Sequence, residues 1–273
     1  AALTTDQATN LTSNQLAALT TTQVAAIETQ DIAVLKTSHI VALTTTQLAQ
    51  GLTTDQLIAL TTDQVLSLKT NQIAALTTNQ VAVIETTDIA VLASTQVQAW
   101  TTTQVAQGLT TDQLIALTTS KAASLVTTQG VVLSTAQLSA METEDIAALR
   151  TTQIANLRGN GLTTEQIVAL TTAQLASLTT QQLLALTSTQ IAAIETVDIS
   201  ALKSTQLVAL TTAQIAKGLT TEQIVALTTQ QISAFTTTQL NTGWTTEQVA
   251  ALTTAQAASL TSKQVAALSS VQI

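Results

Sequence analysis

The residues with the widest chemical reach are few, and they fall at set intervals. Glu-Thr-x-Asp occurs at Glu28, Glu85, Glu142 and Glu195, which puts Asp31, Asp88, Asp145 and Asp198 three residues beyond each glutamate. Two carboxylates at that spacing suit an acid/base dyad or a calcium site. Calcium takes roughly six to eight oxygens from a tight loop, and no Asp-rich loop with a turn glycine is present. His39 is the only histidine, and it stands where most repeats carry Gln. No serine or acid recurs beside it in a way that would build a triad. Cys is absent, which removes a thiolate metal site, a Cys nucleophile and a disulfide framework. Trp100, Phe235 and Trp244 occupy positions otherwise held by Leu, a core phase and not an exposed stacking face. No nucleophile, base and oxyanion donors converge, so neither an enzyme nor a cofactor is expected.

Bases accompany three of the four acid units. Glu28 lies eight residues before Lys36, Glu142 before Arg150, and Glu195 before Lys203, while Ala93 takes the base position after Glu85. If equivalent positions in successive repeats are spatial neighbours, these are ion pairs between repeats. Surface pairs are worth about 0–1 kcal/mol, so they would set register and solubility more than stability.

The elements that must position these residues come from an octad, L-T-T-x-Q-[VIL]-x-x-L, that begins at Leu3 and covers nearly the whole chain. Thr61 to Leu68 and Thr253 to Leu260 are two copies. Thr followed three residues later by Gln is a capping box, and the aliphatic residues flanking the box are a hydrophobic staple. All sixteen acids fall at octad positions 1, 3 or 4, within the expected first helical turn, where the helix dipole favours negative charge. A strand gives no reason for that placement, and Ala and Gln are poor strand formers. One continuous helix fails because an eight-residue period drifts about 80° past two full turns, which winds the apolar stripe around the rod. Each octad is therefore a short capped helix, too short to stand alone, and the fold class is all-α: a solenoid of such helices.

A longer period of 57 residues lies above the octad. The Glu-Thr-x-Asp units recur at spacings of 57, 57 and 53, and Gly51, Gly108, Gly161 and Gly218 precede Leu-Thr-Thr-[Asp/Glu]-Gln at spacings of 57, 53 and 57. The superrepeat is seven octads plus one residue, read as about 19–75, 76–132, 133–185 and 186–243 within a single array over 1–273, with partial repeats at both ends. The extra residue sits at the glycine, and Gly243 marks one more such bulge before Trp244. A left-handed C′ cap is expected at these glycines, and the superrepeat is expected to mark a geometric turn of the superhelix. Lys121 and the Gly130 octad read as drift.

Composition limits the partners. The chain has 273 residues, 45% hydrophobic and 9% charged, with a net charge of −8. That much aliphatic surface argues against disorder, and the acidic balance argues against nucleic acid and against an anionic membrane surface. The chain opens at Ala1-Ala2-Leu3 and stops at Ser269 to Ile273, part-way through an octad, with no polar capping repeat at either end. An excerpt of a longer array, or ends that associate with one another, is expected.

The L-T-x-x-Q-V-x-A-L run resembles the opening helix of the transcription-activator-like effector repeat, but the thirty-four-residue period and base-reading loop of that family are missing. The A-L-T-T-x-Q octads more closely resemble the arrays of very large repetitive surface or secreted proteins of Gram-negative bacteria. That resemblance implies a cell-surface or extracellular structural role. The reading is a non-enzymatic filament, stalk or surface-layer element, without nucleic acid, cofactor or membrane insertion. The alternative is a binding module that presents a regular Thr face to ice or glycans. The first Thr of each pair is committed to capping, and the second is free to face outward or to carry O-glycans.

Overall fold

The computed structural model describes residues 4–273, and every regular element among them is helical. The helices are four to seven residues long, one to each octad, as in Thr54–Ile58, Thr62–Ser67, Thr70–Ala75 and Thr78–Ala82. Two residues per octad leave helical geometry. In the octad after Leu60, Thr61 is extended (φ −74°, ψ 157°), and Leu68 closes it at φ −59°, ψ 132°. This break at every octad boundary, made without Pro or a left-handed residue, bends the chain and restarts the helix. The staple forms as expected: Leu60 and Val65, on either side of the Thr61 box, are both buried.

Exposure repeats with the octad. Through Thr53–Leu76, positions 1 to 3 face solvent and positions 4, 5 and 8 are buried. The aliphatic residues at positions 5 and 8 form the core; Val65, Ile73, Val81 and Ile89 are all at most 1% exposed. Burying each such side chain is worth roughly 1.5–3 kcal/mol. A helix of five residues cannot hold together by itself, so this core is what stabilises it.

The chain divides into two compact units, Ala1–Met141 and Glu142–Ile273, the border falling at the third Glu-Thr-x-Asp unit. Inside each unit a helix packs on the helix three octads away: Thr62–Ser67 on Thr86–Val91 and Thr70–Ala75 on Ser94–Ala99 in the first, Ser204–Ala209 on Thr229–Ala234 in the second. Side-chain hydrogen bonds reach the fourth octad, as from Gln56 to Val24 and Ile27. One turn of the coil therefore takes between three and four octads. Seven octads therefore span about two turns.

The glycines correct the sequence reading. No residue among those described has a positive φ, so Gly51, Gly108, Gly161, Gly218 and Gly243 are not left-handed caps. The inserted residue is instead absorbed within the helix. Gln47–Gly51, Gln104–Gly108 and Gln239–Gly243 are single π-turns, in which Leu52, Leu109 and Trp244 donate back five residues to Gln47, Gln104 and Gln239. Gly218 closes the helix Thr212–Gly218, and Gly161 closes a 3₁₀ turn, Gly159–Gly161. Close approach, not backbone freedom, selects glycine at Gly51, Gly108, Gly218 and Gly243. A Cβ on Gly108 would lie 3.1 Å from both the Thr78 carbonyl oxygen and Val81 Cβ. The neighbour that sequence reasoning passed over, Gly159, is tighter still, with Gln182 Cα at 2.6 Å from its ideal Cβ.

Gly108→Ala is expected to destabilise the first unit by about 1–3 kcal/mol, the usual cost of overpacking. A urea midpoint unchanged from that of the parent chain would refute the close-approach account.

Candidate functional site

The repeating polar feature is the glutamine at octad position 4, and it does two jobs. Its Oε1 accepts from the N–H that opens its own helix: Thr53 N donates to Gln56 Oε1 at 2.9 Å, while Gln56 N donates to Thr53 Oγ1 at 3.2 Å. That is the capping box foreseen in the sequence. Its Nε2 turns the other way and donates to carbonyls one turn back: Val24 O at 2.8 Å and Ile27 O at 2.6 Å. Gln64 repeats this on Ile32 and Leu35, Gln113 on Val81 and Ile84, and Gln223 on Ile191 and Ile194. Carbonyls in the last turn of a helix have no intrahelical partner, so one side chain satisfies the start of one helix and the end of another. These glutamines are buried; Gln56, Gln64 and Gln113 are each 2% exposed.

The second job was legible from a signal that sequence reasoning left unused. Lys69, Ala93, Val126 and Arg150 replace the capping Thr, yet Gln72, Gln96, Gln129 and Gln153 remain. A residue retained after its capping partner is lost has another role. In these octads Oε1 still accepts the N-cap N–H, at 2.9 Å from Lys69 and 2.8 Å from Ala93.

His39 and Lys121, which stand at the glutamine position, belong to this seam. His39 holds the glutamine position and reproduces its pattern: Nδ1 accepts from Lys36 N at 3.4 Å, and the ring is hydrogen bonded to the backbone of Leu11. Burial, with Lys36 adding to it, lowers its pKa from the ordinary 6.5 against the opposing Leu11 bond, and a neutral ring is what one accepting and one donating nitrogen require. Lys121, read from sequence as drift, donates from Nζ to the Ala90 carbonyl one turn back. It supplies the donor but cannot accept, and its helix, Thr119–Ala122, has no side-chain cap.

The four aspartates at position 4 are buried as well. A carboxylate cannot donate to carbonyls, so the partner changes: Thr5 Oγ1 donates to Asp31 at 2.9 Å, and Thr172 Oγ1 to Asp198 at 2.5 Å. Glu28, Glu85, Glu142 and Glu195 are the N-cap residues of these helices and make no side-chain cap bond. The acids at position 3 complete the helix-start electrostatics. The backbone N–H of Glu165 itself, then the Thr163 hydroxyl, hold that carboxyl below its usual range, and Glu222 and Glu247 repeat the pattern.

Lys36, Arg150 and Lys203 are N-cap residues of the helices that follow Glu28, Glu142 and Glu195. Glu28 accepts from Gln30 Nε2 at 2.7 Å. Octads eight residues apart follow one another along the coil, and the helices that pack on each other lie three octads away.

Two shallow clefts 57 residues apart, of about 500 and 450 Å³, carry the carboxylates of Glu28 and Asp55 and of Glu85 and Asp112. Among the described residues no three His, Asp or Glu side chains gather as metal ligands, and no helix is long and apolar enough to cross a membrane. Trp100, Phe235 and Trp244 are buried as their octad phase implies, and the Phe235 and Trp244 rings meet edge to face at 5.2 Å.

A family model described as the ALTTAQ repeat matches residues 24–62, 81–119, 160–193, 191–229 and 243–273, together more than half of the chain. The chain belongs to the ALTTAQ repeat family. The matched stretches include all five marked glycines and four of the residues that replace the position-4 glutamine, Asp31, His39, Asp88 and Asp198, so the family pattern tolerates both. No curated protein matches the chain.

Two measurements check this site. Gln113→Glu retains the capping oxygen but loses the amide that serves Val81 and Ile84. A stability loss of about 3 kcal/mol at neutral pH is expected from the two deprived carbonyls, and a loss no larger than that of an exposed Gln would refute the clamp. For His39 the folded pKa lies below the unfolded value of 6.5. The unfolded chain therefore binds more proton between the two values, and stability falls as pH drops through about 6.5, levelling off below the folded pKa. Urea titrations in that window should show the slope in the parent chain and lose it in His39→Gln; a slope that survives the substitution contradicts this assignment.

Proposed function

We propose that the chain is a non-enzymatic structural element, a stiff spacer of the kind used in a filament, stalk or cell-surface layer. The observation that supports it is where the polar side chains are spent. Gln, His39, Lys121 and the buried aspartates, the groups with most chemical capacity, are committed to fastening one turn to the next. A buried amide held at both ends fixes the spacing of turns more narrowly than apolar packing alone, because its hydrogen bonds tolerate little change in distance or angle. Resemblance to arrays of large Gram-negative surface and secreted proteins supports an extracellular or cell-surface setting.

A second reading, a binding module that uses a regular threonine face, has one observation in its favour. The second Thr of many octads, such as Thr54, Thr62 and Thr229, is exposed while the first is engaged in capping. Ice or glycans would be the ligands of such a face, and the same hydroxyls would accept O-glycans.

The chain contains no Cys, so two can be introduced at exposed positions of the first unit, Ile58→Cys and Ile115→Cys, and spin-labelled. A single narrow distance distribution by electron–electron double resonance is expected of a stiff spacer. A broad distribution would remove that reading, and thermal hysteresis in the unlabelled chain would turn the assignment to the threonine face.

A further inference from the structure

We propose that the octads of Glu85 and Glu195 each bind an ordered water within the seam, held by the N-cap N–H, the position-4 carboxylate and a carbonyl of the preceding turn. There the water stands in for the terminal amide that glutamine supplies elsewhere.

The flanking octads define what a position-4 side chain has to serve. Gln80, one octad before Asp88, accepts from Thr77 N at 2.8 Å and donates to Leu48 O and Leu52 O at 2.7 and 2.8 Å. Gln96, one octad after it, accepts from Ala93 N at 2.8 Å and donates to Val65 O and Leu68 O at 3.2 and 2.9 Å. The register between them assigns to Asp88 the N–H of Glu85 and the carbonyls of Leu57 and Leu60. Around Asp198, Gln190 donates to Leu162 O at 2.6 Å and Gln206 to Leu178 O at 2.7 Å. Asp198 is thereby assigned the Glu195 N–H and Leu170 O.

Aspartate serves neither group. Among the described residues nothing accepts from the Glu85 or Glu195 N–H, and nothing donates to Leu60 O or Leu170 O. Leu60 and Leu170 are 5% and 3% exposed, and Asp88 is 3% exposed. No described residue donates to the Asp88 carboxylate, while Asp198 accepts from Thr172 through Oδ1 alone. Buried peptide groups and carboxylates left without partners are costly. The N-cap residue is not the cause, because Ala93 has no capping side chain and its N–H is still met, by Gln96.

The chemistry of the three groups selects the ligand. The aspartate side chain is one methylene shorter than glutamine and carries no donor. What completes the set must accept from an N–H and donate to both a carbonyl and a carboxylate. Water does this with three hydrogen bonds, the usual number for a buried water. A metal cation would suit the carbonyl and carboxylate oxygens but would face the N–H with positive charge. An anion would suit the N–H and be repelled by the other two. The link between turns is then two hydrogen bonds in series through a water, where glutamine spans the same distance with its own stem.

Cross-relaxation between backbone amides and water in the ¹⁵N-labelled chain reads the site directly. A contact with a long-lived water is expected at the Glu85 and Glu195 N–H and not at Thr77 or Ala93, whose N–H groups glutamine meets. Oxygen-17 relaxation dispersion counts such waters. Asp88→Gln introduces the residue common at this position, and should lower the count by one; Asp88→Gln with Asp198→Gln should lower it by two. Glu85 and Glu195 N–H groups without a water contact, or a count unchanged in the folded variants, would overturn the proposal. So would a thermal midpoint that rises with added calcium or sodium chloride in the parent and not in Asp88→Gln, which would assign the site to a cation. If a variant fails to fold, the cross-relaxation measurement on the parent chain decides alone.

Discussion

An octad of five or six helical residues has a hydrogen-bonding problem at each end, and the position-4 glutamine addresses both ends together. Helix starts leave N–H groups unpaired and helix ends leave carbonyls unpaired, and in helices this short nearly every peptide belongs to one end or the other. Bulk water cannot reach those that face the coil interior. Glutamine carries an acceptor and a donor on one planar group, with a stem long enough to place the acceptor on its own N-cap while the donor crosses to the preceding turn. Asparagine is a methylene shorter, glutamate lacks the donor, and lysine lacks the acceptor. The helix length, the spacing of turns and the burial of a polar row within an aliphatic core all depend on that one side chain.

The substitutions at that position show which half of the bond set each local environment requires. His39 keeps both halves by using its two ring nitrogens. Lys121 keeps only the inter-turn donor, and its helix shrinks to four residues. Asp31 and Asp198 keep neither half and instead accept from a threonine hydroxyl one turn away. Each replacement is chemically coherent, and each marks a place where the bonding between turns differs in kind.

Much of this was legible in the residues. The Thr-to-Gln spacing and the flanking aliphatics gave helix starts, and the acids confined to the first turn gave polarity, because these are local effects whose partners lie within a few residues. What could not be read was anything set by the neighbouring turn. The packing of each helix on the one three octads away leaves no mark on an eight-residue repeat, and the glycines looked like left-handed caps because the approach of Thr78 to Gly108 is a tertiary fact. The clamp lies between: retention of Gln72 and Gln96 beside Lys69 and Ala93 signalled a second role, but not its destination.

That destination is a backbone carbonyl, and this bears on how the chain acquires its structure. Each turn is completed by groups that every preceding turn exposes, whatever its side chains, and the partners lie about thirty residues back in sequence. Contacts of such limited range carry a small loop-closure cost that stays constant along the chain. Once one coil has formed, each later octad adds to an existing template as soon as it leaves the ribosome, without waiting for distant sequence. Length then has no bearing on folding time per turn, so an array can be lengthened by duplication without becoming harder to make.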